Sequence, residues 1–87
     1  MTDNLLTIDQ LRVILRESAG EADGVDLEGD IEDTEFADLG YDSISLLEAG
    51  SRIERDRGIK LDDDLVTSAR TPRALLAAVN ERLAGVA

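Results

Sequence analysis

Apolar positions along the chain fall into several stretches separated by polar or glycine-rich breaks, and most are spaced helically. Ile8, Leu11, Ile14, Leu15 and Ser18 lie on one side at intervals of three and four. Thr7 followed by Gln10 reads as a capping box ahead of them, and Gly20 supplies a stop. A first helix is predicted over 7–19. Residues 20–41 break the pattern. They hold three glycines before Gly40, many carboxylates and no Lys or Arg. Val25, Leu27, Ile31, Phe36 and Leu39 are spaced irregularly there, which predicts a long loop pinned to the core by its apolar residues. Loops of that length inside a compact domain are usually functional.

Asp42 is a good N-cap, and helical spacing resumes from Ser43 to about Arg57, with Gly58 as the stop. Asp62, Asp63 and Asp64 then suit the start of a short helix to about Ser68, since carboxylates favour the positive helix end. Thr71 caps a last helix with Pro72 at its first position. Leu76, Val79 and Leu83 are expected to form its buried stripe, with Leu75 at the margin. The predicted fold is all-α, a four-helix bundle with a long first loop and a short third helix. One domain over residues 1–87 is expected from the length.

The second helix has two apolar faces. With successive residues about 100° apart, Leu46, Ala49, Gly50 and Ile53 cluster on one side as the core face. A helical Gly costs roughly 1 kcal/mol relative to Ala, so Gly50 points to close approach of a neighbour. Ile44 and Leu47 lie on another side, with Ser43 and Ser51, and are flanked by Glu48 and Glu54. An exposed Ile–Leu pair framed by carboxylates suits partner docking. The alternative is that the loop folds over the pair. Glu48 is also placed to pair with Arg52 at i,i+4, a modest contribution of about 0.3–0.5 kcal/mol.

Composition narrows the chemistry. Twenty acidic against nine basic residues give a net charge of -11. That argues against nucleic acid and anionic membranes as partners and for basic protein surfaces. The chain has no Cys and no His, so it supplies neither a thiolate nor the commonest general base. Asp26, Glu28, Gly29, Ile31 and Glu35 fall on positions 3, 5, 6, 8 and 12 of an EF-hand loop. Position 1 would be Gly24, and Gly40 would cut short the outgoing helix, so no metal site is assigned. The N-terminus has no basic, apolar signal pattern, and no apolar run is long enough to span a bilayer. A cytoplasmic monomer is expected.

Ser43 sits at the first turn of the second helix. Without a histidine it is no hydrolase nucleophile. A phosphate ester there would meet free backbone N–H groups and the positive end of the helix dipole. Modification by another enzyme needs no activation from within this chain.

Leu39-Gly40-Tyr41-Asp42-Ser43-Ile44 resembles the attachment motif of acyl carrier proteins, Leu-Gly-x-Asp-Ser-Leu, with Ile44 in place of the usual Leu. Ala19-Gly20-Glu21, Asp26-Leu27, Arg52-Ile53-Glu54, Gly58-Ile59 and Thr71-Pro72-Arg73 extend the resemblance over roughly residues 5–84. The chain looks like the discrete carriers of type II polyketide synthases. Fatty-acid carriers usually have an acidic residue where Ser45 stands, which favours the polyketide branch. The resemblance implies covalent 4'-phosphopantetheine, from coenzyme A, on Ser43, with Asp42 helping the transferase recognise the site. It implies no catalysis by the carrier itself. Ile44, Leu47, Glu48 and Glu54 match the family's partner-facing positions. The implied partners are a phosphopantetheinyl transferase, a malonyl acyltransferase, the ketosynthase with its chain-length factor, a ketoreductase and cyclases. Arg73 and Asn80, seven apart and on one side of the last helix, match polar positions of the family. Two readings stay open for them, contact with the carbonyls of an acyl chain or fastening of the long loop. A fatty-acid or other carrier, and an acidic interaction module unmodified at Ser43, are the alternative functions.

Overall fold

The computed structural model describes residues 5–19 and 29–85. Among the described residues four helices follow one another: α1 (Ile8–Ala19), α2 (Ser43–Arg57), α3 (Asp63–Ser68) and α4 (Pro72–Gly85). α1 packs on α2 and α4, and α2 packs on α3. The four-helix, all-α architecture expected from the periodicity is present, with α3 the short element.

Several boundaries have a local cause, although no side-chain cap bond starts α3. At α1 the Thr7 hydroxyl accepts the Gln10 N–H at 3.2 Å, and the Gln10 side-chain oxygen accepts the Thr7 N–H at 3.0 Å. This reciprocal pair satisfies two of the donors left over at a helix start. α2 ends where Gly58 turns left-handed, at φ 67°, a conformation glycine adopts without a Cβ penalty. Thr71 caps α4, its hydroxyl accepting the Ala74 N–H at 3.2 Å. The Gly20 stop, Val25 and Leu27 lie outside the described residues, as do Asp26 and Glu28 of the EF-hand comparison. Among the described residues no group of three or more carboxylates is placed to hold a metal ion.

The core draws Leu11 and Leu15 from α1, Ile53 from α2, Val66 from α3 and Leu75 and Val79 from α4. Each such side chain contributes about 1.5–3 kcal/mol by leaving water. On α4 the buried line is Pro72, Leu75, Val79 and Leu83. Leu75 is thus central and Leu76 marginal, the reverse of the sequence expectation. Pro72 is itself buried, which rotates the buried stripe toward Leu75. The predicted core face of α2, Leu46, Ala49, Gly50 and Ile53, is the buried one.

Gly50 owes its place to α3. A Cβ there would lie 3.1 Å and 3.3 Å from the two γ-methyls of Val66. Val66 is buried and, being β-branched in a helix, has little rotameric freedom. Gly50→Leu is therefore expected to lower unfolding free energy by about 1–3 kcal/mol through overpacking. Urea denaturation checks this as a lower midpoint at unchanged slope, and an unchanged midpoint would refute close packing at Gly50.

Candidate functional site

The segment leading into α2 is built from alternating anchors. Leu39 and Tyr41 are buried, at 4% and 5% exposure. Between them Gly40 takes a φ of 85°, a backbone state that side chains with a Cβ rarely adopt. The Tyr41 N–H returns to the Phe36 carbonyl at 2.9 Å, and the two rings meet edge to face with centroids 6.4 Å apart. Tyr41 occupies the variable position of the motif, so only its spacing from Phe36 and Leu39 could have marked it as a core residue.

The loop behind these anchors is fastened at several points. The Phe36 N–H donates to the Arg70 carbonyl at 2.7 Å, and the Arg73 N–H to the Glu32 carbonyl at 2.9 Å. From α1, the Arg12 guanidinium donates to the Gly29 carbonyl at 2.9 Å. Ile31, Phe36 and Leu39 are buried, as the loop reading required.

With Tyr41 held inward, Asp42 and Ser43 are both exposed at the start of α2. Asp42 Oδ1 accepts the Ser45 N–H at 2.8 Å, and its carbonyl accepts the Leu46 N–H at 3.0 Å. The Ser45 N–H, joined by the Ser45 side chain, holds the Asp42 carboxyl below the usual carboxylate range. Ser43 follows the cap at the first helical position, where backbone N–H groups lack intrahelical carbonyls. A phosphate ester on its hydroxyl would face solvent and the positive helix end.

A family model described as "Phosphopantetheine attachment site" matches residues 13–79. The oxytetracycline polyketide synthase acyl carrier protein of Streptomyces rimosus is 53% identical over 81 residues, covering 93% of this chain and 85% of that protein. The chain belongs to the acyl carrier proteins of type II polyketide synthases.

The granaticin polyketide synthase acyl carrier protein of Streptomyces violaceoruber is 56% identical over 75 residues, covering 86% of this chain and 88% of that one. The solution structure of the 3,7-dioxo-octyl actinorhodin acyl carrier protein from Streptomyces coelicolor superposes with a TM-score of 0.88, at 48% identity over 100% of both chains. Acyl carrier proteins are carriers and not catalysts, and their partners are the enzymes of a synthase. No helix among the described residues is long and apolar enough to cross a membrane.

In this carrier the two faces of α2 separate as the helical wheel predicted. Ile44 is 67% exposed, Glu48 is exposed and Leu47 half-buried. No described part of the loop covers Ile44. Together with Ser51, Arg55 and Ile59 they line one groove along the outer side of α2. Arg52 does not pair with Glu48. Its guanidinium binds Glu17 on α1 and lies 3.3 Å from Asp56, because it leans toward α1.

Glu54 also lines the groove, but its carboxylate is engaged internally. Oε2 accepts the Leu61 N–H at 2.6 Å, and its backbone carbonyl accepts the N–H groups of Gly58 and Ile59 at 2.8 and 3.2 Å. Sequence reasoning missed this fastening of the α2–α3 linker, since nothing in the spacing of 54 and 61 marks it.

Arg73 and Asn80 point their polar atoms to different partners. Arg73 Nε is 2.7 Å from Asp33 Oδ1, with Glu32 at 3.8 Å. The Arg73 hydrogen bond pulls the Asp33 carboxyl below its usual range. Asn80 grips the backbone of Leu6, accepting its N–H at 2.7 Å and donating to its carbonyl at 3.0 Å. Arg73 fastens the long loop through loop carboxylates as well as a carbonyl, and Asn80 fastens the segment before α1 instead.

Two outcomes follow from these contacts. The depressed folded pKa of Asp42 means that its stabilising contribution is complete above the unfolded carboxylate value. It is lost as pH falls through the folded value. Asn caps helices without titrating, so wild type should lose stability relative to Asp42→Asn between neutral pH and about pH 3. A pH-independent difference in denaturation midpoints would contradict the cap assignment. For the linker, Glu54→Gln keeps an acceptor for the Leu61 N–H and should hold wild-type stability, whereas Glu54→Ala should lose about 1–3 kcal/mol. Equal stabilities of the two variants would show that the fastening is energetically idle.

Proposed function

We propose that this carrier bears 4'-phosphopantetheine on the Ser43 hydroxyl, as one carrier domain over residues 1–87, and acts as a cytoplasmic monomer. The group supplies the thiol that the chain lacks, on which malonyl and growing polyketide chains are held as thioesters. The observation that carries the reading is the exposed Ser43 directly after the Asp42 cap, at the open N-terminus of α2. The chain's own residues do three things. Asp42 orders the first turn and leaves its remaining N–H groups to the phosphate ester. Leu39 and Tyr41 hold the serine away from the core. Ile44, Leu47 and Glu48 present an apolar and acidic face beside it for docking.

The partners proposed are a phosphopantetheinyl transferase that reads Asp42 and Ser43, a malonyl acyltransferase, the ketosynthase with its chain-length factor, a ketoreductase and cyclases. Their docking patches carry basic residues for Glu48 and for the carboxylate of Glu54 left free by its single hydrogen bond. Contact of Arg73 or Asn80 with an acyl chain would require exchange of the Asp33 or Leu6 bonds for a cargo carbonyl. The observed bonds support fastening of the long loop for Arg73, and fastening of the segment before α1 for Asn80. Delivery depends on tethering, which gives the bound substrate a high effective concentration at a docked active site.

Incubation with coenzyme A and a broad-specificity phosphopantetheinyl transferase should add the mass of one phosphopantetheine to the intact wild-type protein and none to Ser43→Ala. An unmodified, folded wild type beside an active transferase would favour the acidic interaction module instead.

A further inference from the structure

Residues 36–41, directly before the Asp42 cap, form a turn with its own closing pattern. The Tyr41 N–H donates to the Phe36 carbonyl at 2.9 Å, and the Gly40 N–H to the Ala37 carbonyl at 3.2 Å. Gly40 itself has a φ of 85°. Bonds nested in this way around a left-handed residue are those with which helices close at their C-termini. Here they close a turn that continues no helix.

The contact that completes such a closure is apolar, between its first and last residues. Phe36 and Tyr41 supply it. Both are buried, and their rings meet edge to face at an interplanar angle of 76°. An aromatic pair of this geometry adds to what burial alone contributes. Phe36 is also the point where the turn joins the rest of the chain. Its N–H donates to the Arg70 carbonyl at 2.7 Å, and its carbonyl accepts the Leu39 N–H at 3.0 Å as well as that of Tyr41. Phe36 thus links the α3–α4 corner to the turn.

Ser43 inherits its position from that turn. Tyr41 ends the closure, and Asp42, next in sequence, is the N-cap of α2, so no spare residue separates the two. The bond from the Ser45 N–H to Asp42 fixes the helix start from within, but it does not set how that start is aimed. Fixing the backbone on the other side of Asp42 is left to the turn. An enzyme that reads Asp42 and Ser43 together binds only the fraction of molecules that present both correctly, and its apparent affinity falls by that fraction.

We propose that Phe36 is a positioning residue for the transfer of phosphopantetheine, aiming the Ser43 hydroxyl through its ring contact with Tyr41. The inference rests on Ser43 being the attachment site. Phe36 is 2% exposed and offers the transferase no surface of its own. Its loss therefore lowers the affinity of the transferase for the carrier and leaves the transfer step unchanged. A residue that served only the fold would lower the folded fraction instead, and core variants elsewhere would then behave alike.

The test is steady-state transfer from coenzyme A by a broad-specificity phosphopantetheinyl transferase, read by intact mass, with the carrier concentration varied. Phe36→Leu and Tyr41→Leu each keep an apolar side chain and remove the ring pair. Leu83→Ala is the control, a buried residue at the other end of α4 from the corner. Urea midpoints and far-UV circular dichroism are recorded for all variants. KM for the carrier should rise about three- to tenfold in each ring variant, with kcat unchanged, while Leu83→Ala keeps the wild-type KM. In Phe36→Leu/Tyr41→Leu the rise should match that of one variant rather than the product of both, since the same contact is removed. An unchanged KM in the ring variants overturns the proposal. So does an equal rise in Leu83→Ala, which would reflect loss of fold rather than of aim, and so does a multiplicative rise in the double variant. Should one ring variant fail to fold, the other decides. A folded wild type that gains no phosphopantetheine defeats the Ser43 reading itself, whereas a modified wild type with unaffected ring variants defeats only the role of Phe36.

Discussion

The burial of Leu39 and Tyr41 on either side of Gly40 is the constraint on which the working end of this carrier depends. Two side chains two residues apart are drawn into the core, and the glycine between them takes the backbone state that allows it. The chain emerges with Asp42 placed to cap α2 and Ser43 facing solvent. A chain of 87 residues has few such anchors to spare. The loop is accordingly fastened again at Gly29, Glu32 and Phe36 by groups of α1 and of the α3–α4 corner. The site is therefore a rigid helix start reached by a loop that is tied along its described length.

Charge is divided by task. Four of the eight arginines tie segments of the molecule together: Arg12 and Arg73 fasten the loop, Arg52 joins α2 to α1, and Arg82 holds the linker. Exposed pairs of this kind are individually weak, yet several act on the same loop. The carboxylates outnumber them, and surface charge of one sign favours encounter with oppositely charged surfaces without demanding tight binding. A carrier that visits several enzymes requires such release.

The two faces of α2 connect fold and function. One face packs so closely that Gly50 has a valine against it, and the opposite face leaves Ile44 largely in water. A helix with a single apolar stripe would satisfy the fold. The second stripe has no fold role among the described residues, which is the physical ground for assigning it to partners.

Much of this was legible in the sequence. Helical periodicity, the Thr7–Gln10 box, the Asp42 and Thr71 caps, the Gly58 stop and the core face of α2 are local features. Hydrogen bonding within a few residues and the 3.6-residue period determine them wherever the helix is placed. The place of Ser43 directly after the Asp42 cap was legible for the same reason, since the two residues are contiguous. Tertiary structure alone decided which of Leu75 and Leu76 is central, that Arg52 turns to Glu17 rather than Glu48, and that Tyr41 is a core residue. It also decided that Glu54 holds Leu61, Arg73 holds Asp33 and Asn80 holds Leu6. Each of these depends on where a separate segment lies in space. A long polar side chain reaches several alternative partners, and only the packing of the segments selects among them.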